Sequence, residues 1–122
     1  MSQDQLISVI DDDSSIVSAI VGLVRSLGYR ANGHMSAEAF LASGDVQSAR
    51  CIITDIQMPG MNGIALKNHL IANRVYTPVI MITARTDDAL LASARSSGAF
   101  CLFGKPFDAN DLIACVDRAL KS

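Results

Sequence analysis

Residues 51–63 read CIITDIQMPGMNG. Positions 51–54 form a short apolar run rich in β-branched side chains and bounded by turn formers, which predicts a buried strand. The run stops on a carboxylate, Asp55, and Met58, Pro59 and Gly60 follow as a rigid turn. A carboxylate fixed at the tip of a buried strand asks for a chemical reason. The helix after it opens only at Asn62 or Gly63, too far on for Asp55 to serve as its cap.

The same alternation of apolar run and amphipathic stretch extends along the chain in both directions. Leu6–Ile10 reads as the first strand. A helix capped by Ser14 or Ser15 follows, with Ile16, Val17, Ile20, Leu23, Val24 and Leu27 at helical spacing and Gly28 as its stop. Residues 29–34 read as a weaker strand and 36–42 as a short helix opened by Ser36. After the strand at 51–54 comes a helix from 62 or 63 to 73. A β-rich strand at 78–82 precedes a helix capped by Thr86 and ended by Gly98. A strand at 99–103 precedes a last helix capped by Asp108. This is five βα repeats without a linker. Such alternation predicts one α/β domain spanning residues 1–122, a doubly wound parallel sheet with helices on both faces and right-handed crossovers. Sites in such sheets lie beyond the carboxyl ends of the strands.

Composition narrows the function classes. Of 122 residues, 50% are hydrophobic and 18% charged, the signature of a folded globular chain. A net charge of −2 with no Lys/Arg cluster gives no electrostatic footprint for nucleic acid. No apolar run reaches membrane-spanning length, and the polar start MSQDQ does not resemble a signal peptide. Cys51, Cys101 and Cys115 are odd in number and lack C-x-x-C spacing, so they read as reduced, mostly buried thiols of a cytoplasmic protein.

The strand ends carry a coherent set of groups. The first strand delivers Asp11, Asp12 and Asp13, the third Asp55, the fourth Thr83, and the fifth runs out to Lys105 and Pro106. Asp13 immediately precedes a helix and reads chiefly as a cap. Asp11, Asp12 and Asp55 crowd negative charge, which raises carboxyl pKa values unless a cation offsets it. An all-oxygen donor set without His or Cys selects a hard ion, Mg²⁺ by preference and Mn²⁺ as a substitute. Lysines are normally solvated, but Lys105 follows a buried strand and precedes a proline, where a cis bond comes at modest cost.

V-I-D-D-D, I-T-D-I-Q-M-P-G-M-N-G, M-I-T-A-R and G-K-P-F, in that order, resemble the receiver domains of two-component response regulators. The resemblance covers essentially the whole chain. It implies a flavodoxin-like five-stranded sheet of order 2-1-3-4-5. It implies that Asp55 is the phosphoacceptor. The metal ligands would be Asp11, Asp12, Asp55 and the Gln57 backbone carbonyl, with Asp12 the more direct of the acidic pair. Thr83 would follow the phosphoryl group, Lys105 would be its ionic partner, and Lys105–Pro106 would be cis. The domain would act as a switch and not as an enzyme with an external substrate. A sensor histidine kinase would donate the phosphoryl group, acetyl phosphate being a small alternative. Gln57, Ala84 and Arg85 stand where the family varies, and would tune access and the lifetime of the phosphorylated state. Many relatives carry an aromatic residue three positions before the lysine; here that is Leu102, with Phe103 beside it, so the switch aromatic is absent or displaced to the other strand face. The helix TDDALLASARSSG has few large anchors, as a movable element requires. Leu91, Ala94, Phe103 and residues near Ala109 lie toward the face that relatives use for pairing on phosphorylation or for docking. SAEAFLAS is similar to the segment found in receivers fused to DNA-binding domains, so the output domain or docking partner is expected outside this chain.

Two other classes compete. A Mg²⁺-dependent phosphohydrolase with an aspartate nucleophile typically places a second acid two residues on, where this chain has Gln57. A flavin module of similar topology favours Ser/Thr/Gly-rich phosphate loops, which DDDSS would oppose by repulsion.

Overall fold

Four of the five strands are short runs rich in apolar residues, the second (RANGH) being the polar exception, and a helix follows each strand. The computed structural model describes residues 5–85 and 87–121. Its strands are β1 (Leu6–Ile10), β2 (Arg30–His34), β3 (Ala49–Asp55), β4 (Val79–Thr83) and β5 (Cys101–Gly104). Its helices are α1 (Ser14–Ser26), α2 (Ala37–Ala42), α3 (Asp45–Ser48), α4 (Gly63–Ala72), α5 (Asp88–Ser96) and α6 (Ala109–Lys121). The strands form one sheet in the order β2-β1-β3-β4-β5, parallel at every pairing.

Two apolar layers sandwich the sheet. Ile7, Val9, Ile53, Ile80 and Ile82 point to one side, where Ile20 and Val24 of α1 and Leu112 and Val116 of α6 cover them. Ile10, Ile52, Val79 and Met81 point to the other, against Phe40 of α2, Leu66 and Leu70 of α4 and Ala94 of α5. Coverage on both faces explains why β1 and β4 are buried at every position and are apolar except at Ser8 and the terminal Thr83.

The expected architecture is present, with local corrections. Of the candidates for the cap of α1, Asp13 fills the role, as its place just before the helix suggested, and Ser14 and Ser15 do not: its Oδ1 accepts from the Ser15 amide at 2.9 Å and the Ser15 hydroxyl at 2.6 Å. The helix after β4 is capped by Asp87, whose carboxylate accepts from Leu90 N. Thr86, the expected cap, lies outside the described residues. One turn of helix, α3, lies between the second helix and β3, in a stretch given no assignment from sequence, and is entered through Gly44 at φ +85°. β3 begins earlier than residue 51 because Ala49 pairs with Leu6, although exposed Arg50 interrupts the apolar run. β5 starts later than residue 99 because Ala99 N still bonds back to Ala94 O at the end of α5.

The cysteines depart most from the sequence reading. Cys101 and Cys115, 14 residues apart, form a disulfide joining β5 to α6. Helix α6 folds back over its own strand and brings their Cα atoms to 6.7 Å, a proximity that no motif spacing announces. Only Cys51 is a free thiol among the described residues, and it is buried.

Candidate functional site

Sheet register assembles the site. Ile10 pairs with Thr54, so the next residue of each strand places Asp11 beside Asp55. Asp55 pairs with Ile82, one residue before Thr83. Thr83 pairs with Gly104, one residue before Lys105. Four strands that end in register therefore deliver their polar residues to one rim.

Asp11 is nearly buried and fixed from three sides. Its amide donates to His34 O at 3.2 Å, its Oδ1 accepts from Asp13 N at 3.0 Å, and its Oδ2 accepts from Lys105 Nζ at 3.0 Å. Lys105 Nζ lies 3.6 Å from Asp55 Oδ2, so one ammonium spans two carboxylates. The Lys105–Pro106 peptide is cis, and Lys105 N donates to Thr83 O at 2.8 Å. Thr83 is buried, and its Oγ1 accepts from Arg85 N at 3.0 Å. Asp12 is exposed at the rim.

The electrostatics follow from this crowding. Burial raises the Asp55 pKa, and the Asp11 charge raises it further; Lys105 and the Gln57 amide pull it back only in part. For Lys105, burial alone would lower the pKa, but the hydrogen bond to Asp11 and the Asp55 and Asp11 charges outweigh it, so the net direction is up. Asp11, Asp12 and Asp55 each offer an oxygen, and these atoms lie within 4.8 Å of one another. An all-oxygen trio with an unrelieved excess of negative charge fits a hard divalent cation.

The residues expected to tune the site lie around its mouth. Ala84 and Arg85 are exposed. The Arg85 guanidinium turns toward the cap of α5, with Nε and Nη2 each 3.0 Å from Asp87 Oδ1. Gln57 lines an open cleft of about 490 Å³ with Ile56, Met58, Pro59, Asn62 and Leu90. Leu102 and Phe103 are both half-buried and pack against opposite layers. Ala94, read as facing a partner, is fully buried under α5 and presents nothing outward.

Three supporting residues escaped the sequence reading. Glu38 of α2 accepts from Met61 N at 2.9 Å, tethering the loop that follows Asp55. Gly60 sits at φ +77° against that same carboxylate, where a Cβ would collide with Glu38 Oε2. Gly63 opens α4 directly on the end of β3, where a Cβ would stand 2.6 Å from Asp55 O and 3.1 Å from Ile56 Cα. A glycine opening a helix just after the acidic strand was the available signal for Gly63. Glu38 offered none, because its partner is 23 residues away.

The family model of the response regulator receiver domain matches residues 7–117. The chain is 36% identical over 120 residues to the transcriptional regulatory protein FixJ of Azorhizobium caulinodans, covering 98% of this chain and 57% of that protein. It is 34% identical over 119 residues to the response regulator protein TmoT of Ectopseudomonas mendocina, covering 98% and 54%. The chain thus spans about half the length of the curated relatives it matches. The solved structure of FixJ-N superposes with a TM-score of 0.86 at 29% identity, over 97% of this chain and 94% of that one. That of the response regulator StyR gives a TM-score of 0.89 at 30% identity, over 97% and 60%.

Proposed function

The chain belongs to the receiver domains of two-component response regulators, and we propose that residues 1–122 act as one phosphoacceptor switch whose acceptor is Asp55. The observation that carries this reading is the Lys105 ammonium held 3.0 Å from Asp11 and 3.6 Å from Asp55 at the rim of the sheet. A carboxylate so placed can be neutralised on one side while it attacks on the other.

In the proposed step an Asp55 carboxylate oxygen attacks phosphorus, and the bond from phosphorus to its donor breaks. The donor is a phosphohistidine imidazole of a sensor kinase, or the acetate of acetyl phosphate. The product is an acyl phosphate on Asp55. Such transfers need mainly positioning and charge neutralisation, because negative charge spreads over the equatorial oxygens. Lys105 supplies one positive charge and stays engaged by Asp11 throughout. Thr83, buried beside the acceptor, turns its hydroxyl toward the new phosphoryl oxygens. Asp11, Asp12, Asp55 and the Gln57 carbonyl would hold a hard divalent cation, Mg²⁺ by donor chemistry, which when bound offsets the charge of the phosphoryl oxygens. The small Ala84 leaves space for the donor. Gln57 and Arg85 set the lifetime of the product by governing water access.

The added charge draws Thr83, and through it the start of α5, a helix that buries only Ala94. The α5-β5-α6 face, including Leu102 and Phe103, carries the change to a second copy, an output domain or a docking partner. The similarity to FixJ, a transcriptional regulatory protein, supports a transcriptional output in a cytoplasmic setting. Among the described residues no helix is long and apolar enough to cross a membrane.

Incubation with acetyl phosphate and Mg²⁺ is expected to add one phosphate, detected by intact mass, and Asp55→Asn is expected to abolish the gain. An unmodified wild-type chain, or undiminished modification of the variant, refutes the assignment.

A further inference from the structure

The disulfide between Cys101 and Cys115 is not needed for phosphoryl chemistry, and its surroundings have features of a reactive thiol site. Cys101 opens the edge strand β5 and is partly exposed, whereas Cys115 is fully buried in α6. Arg118 Nη2 lies 3.3 Å from Cys101 Sγ. A guanidinium at that distance stabilises a thiolate, the form that attacks disulfides. An open cleft of about 360 Å³, lined by Cys101, Leu102, Phe103, Asp111, Ala114 and Arg118, gives a small molecule access to that sulfur. Cys51 is the built-in contrast: it is fully buried, and burial pushes its thiol up to about 12, so it stays an unreactive thiol.

We propose that Cys101 and Cys115 form a reversible thiol–disulfide site that exchanges with low-molecular-weight disulfides of the glutathione class. The Cys101 thiolate attacks one sulfur of the small disulfide, forming a mixed disulfide and releasing one small thiolate. Cys115, its proton passed to solvent, then attacks the Cys101 sulfur and displaces the second small thiolate, which takes up a proton. Two protein thiols lose two electrons in total, and one small disulfide is reduced to two thiols. Reduction runs the same steps backward, beginning at the partly exposed Cys101. The bridge staples α6 to β5, the strand that carries Leu102 and Phe103 and leads to Lys105. Redox poise therefore sets how freely this face moves. The link to signalling rests on the receiver reading; the thiol chemistry does not.

The test equilibrates the full chain in glutathione buffers from about 1:1 to about 100:1 reduced to oxidised, quenches with an alkylating agent and reads intact mass. The expected result is interconversion between a bridged form and a form alkylated once, at Cys101, with the buried Cys51 and Cys115 unlabelled in both. Cys115→Ser is expected to trap glutathione on Cys101, and Cys101→Ser to leave native Cys115 unlabelled. Amide hydrogen exchange in α6 is expected to be about tenfold or more slower in the bridged form. A bridge that never forms, one that persists in the most reducing buffer, or α6 exchange identical in both forms overturns the proposal. Phosphate uptake from acetyl phosphate is followed in parallel. Its loss in both redox forms would sink the receiver mechanism while leaving thiol exchange intact.

Discussion

Replacing Asp55 by asparagine is expected to stabilise the metal-free protein near neutral pH. At an effective dielectric of about 20, the Lys105 ammonium 3.6 Å away attracts the Asp55 charge by about 4.6 kcal/mol. The Asp11 carboxylate, no more than 4.8 Å away, returns at least about 3.5 kcal/mol of repulsion, and exposed Asp12 adds about 1 kcal/mol in a more watery path. Attraction and repulsion nearly cancel. What remains is the cost of holding a charge at 7% exposure, which asparagine does not incur. Lys105 loses little in the exchange, because Asp11 still holds it at 3.0 Å. The net gain is about 1–2 kcal/mol, which moves a urea midpoint up by about 0.5–1 M for a domain of this size. The gain also has a pH signature. With its folded pKa raised above 3.8, Asp55 costs the wild type stability as pH rises from that value through the raised one. The gap between variant and wild type should be absent at low pH and complete once Asp55 is ionised. Urea unfolding in a chelating buffer at several pH values reads both quantities. Adding Mg²⁺ should favour the wild type, by about 2.7 kcal/mol at a hundredfold excess over its dissociation constant. A variant less stable than wild type in chelator at neutral pH, or a gap independent of pH, refutes this charge balance.

Gly63→Ala should cost about 1–3 kcal/mol and slow phosphate uptake about a hundredfold, because the new methyl pushes α4 off the backbone of Asp55; thermal unfolding and uptake kinetics check it, against Gly22→Ala, whose methyl meets open space and should stabilise by about 0.5–1 kcal/mol. Ser8 Oγ is buried and has no hydrogen-bond partner among the described residues, so Ser8→Ala should raise stability by about 1 kcal/mol in the same assay, and a loss of that size would contradict the assignment. Cys51→Ala tests alkaline linkage: the wild-type thiol stays protonated in the folded chain up to about 12 but ionises near 9 once unfolded, so wild-type stability is lost above pH 9. The deficit of the variant should shrink there by about 1.4 kcal/mol per pH unit, and a constant deficit excludes the effect. Gln57→Ala and Arg85→Ala should each change the dephosphorylation rate measured by mass over time, and unchanged rates would remove them from the tuning set.

The order of the elements apart from the single-turn α3, the doubly wound class and the rim acids were legible because their signals are local. A strand covered on both faces is a short apolar run, a helix shows its period within two turns, and caps such as Ser36, Asn62 and Asp108 sit next to what they cap. Tertiary structure alone decided which side chains meet. Lys105 reaches Asp11 across 94 residues, Glu38 reaches Met61 across 23, and Cys101 meets Cys115 only because α6 doubles back on β5. Such pairings depend on sheet register and helix placement, which are set by packing of the two apolar layers as a whole. A local pattern records the period of its own segment and carries no measure of the distance to a distant one.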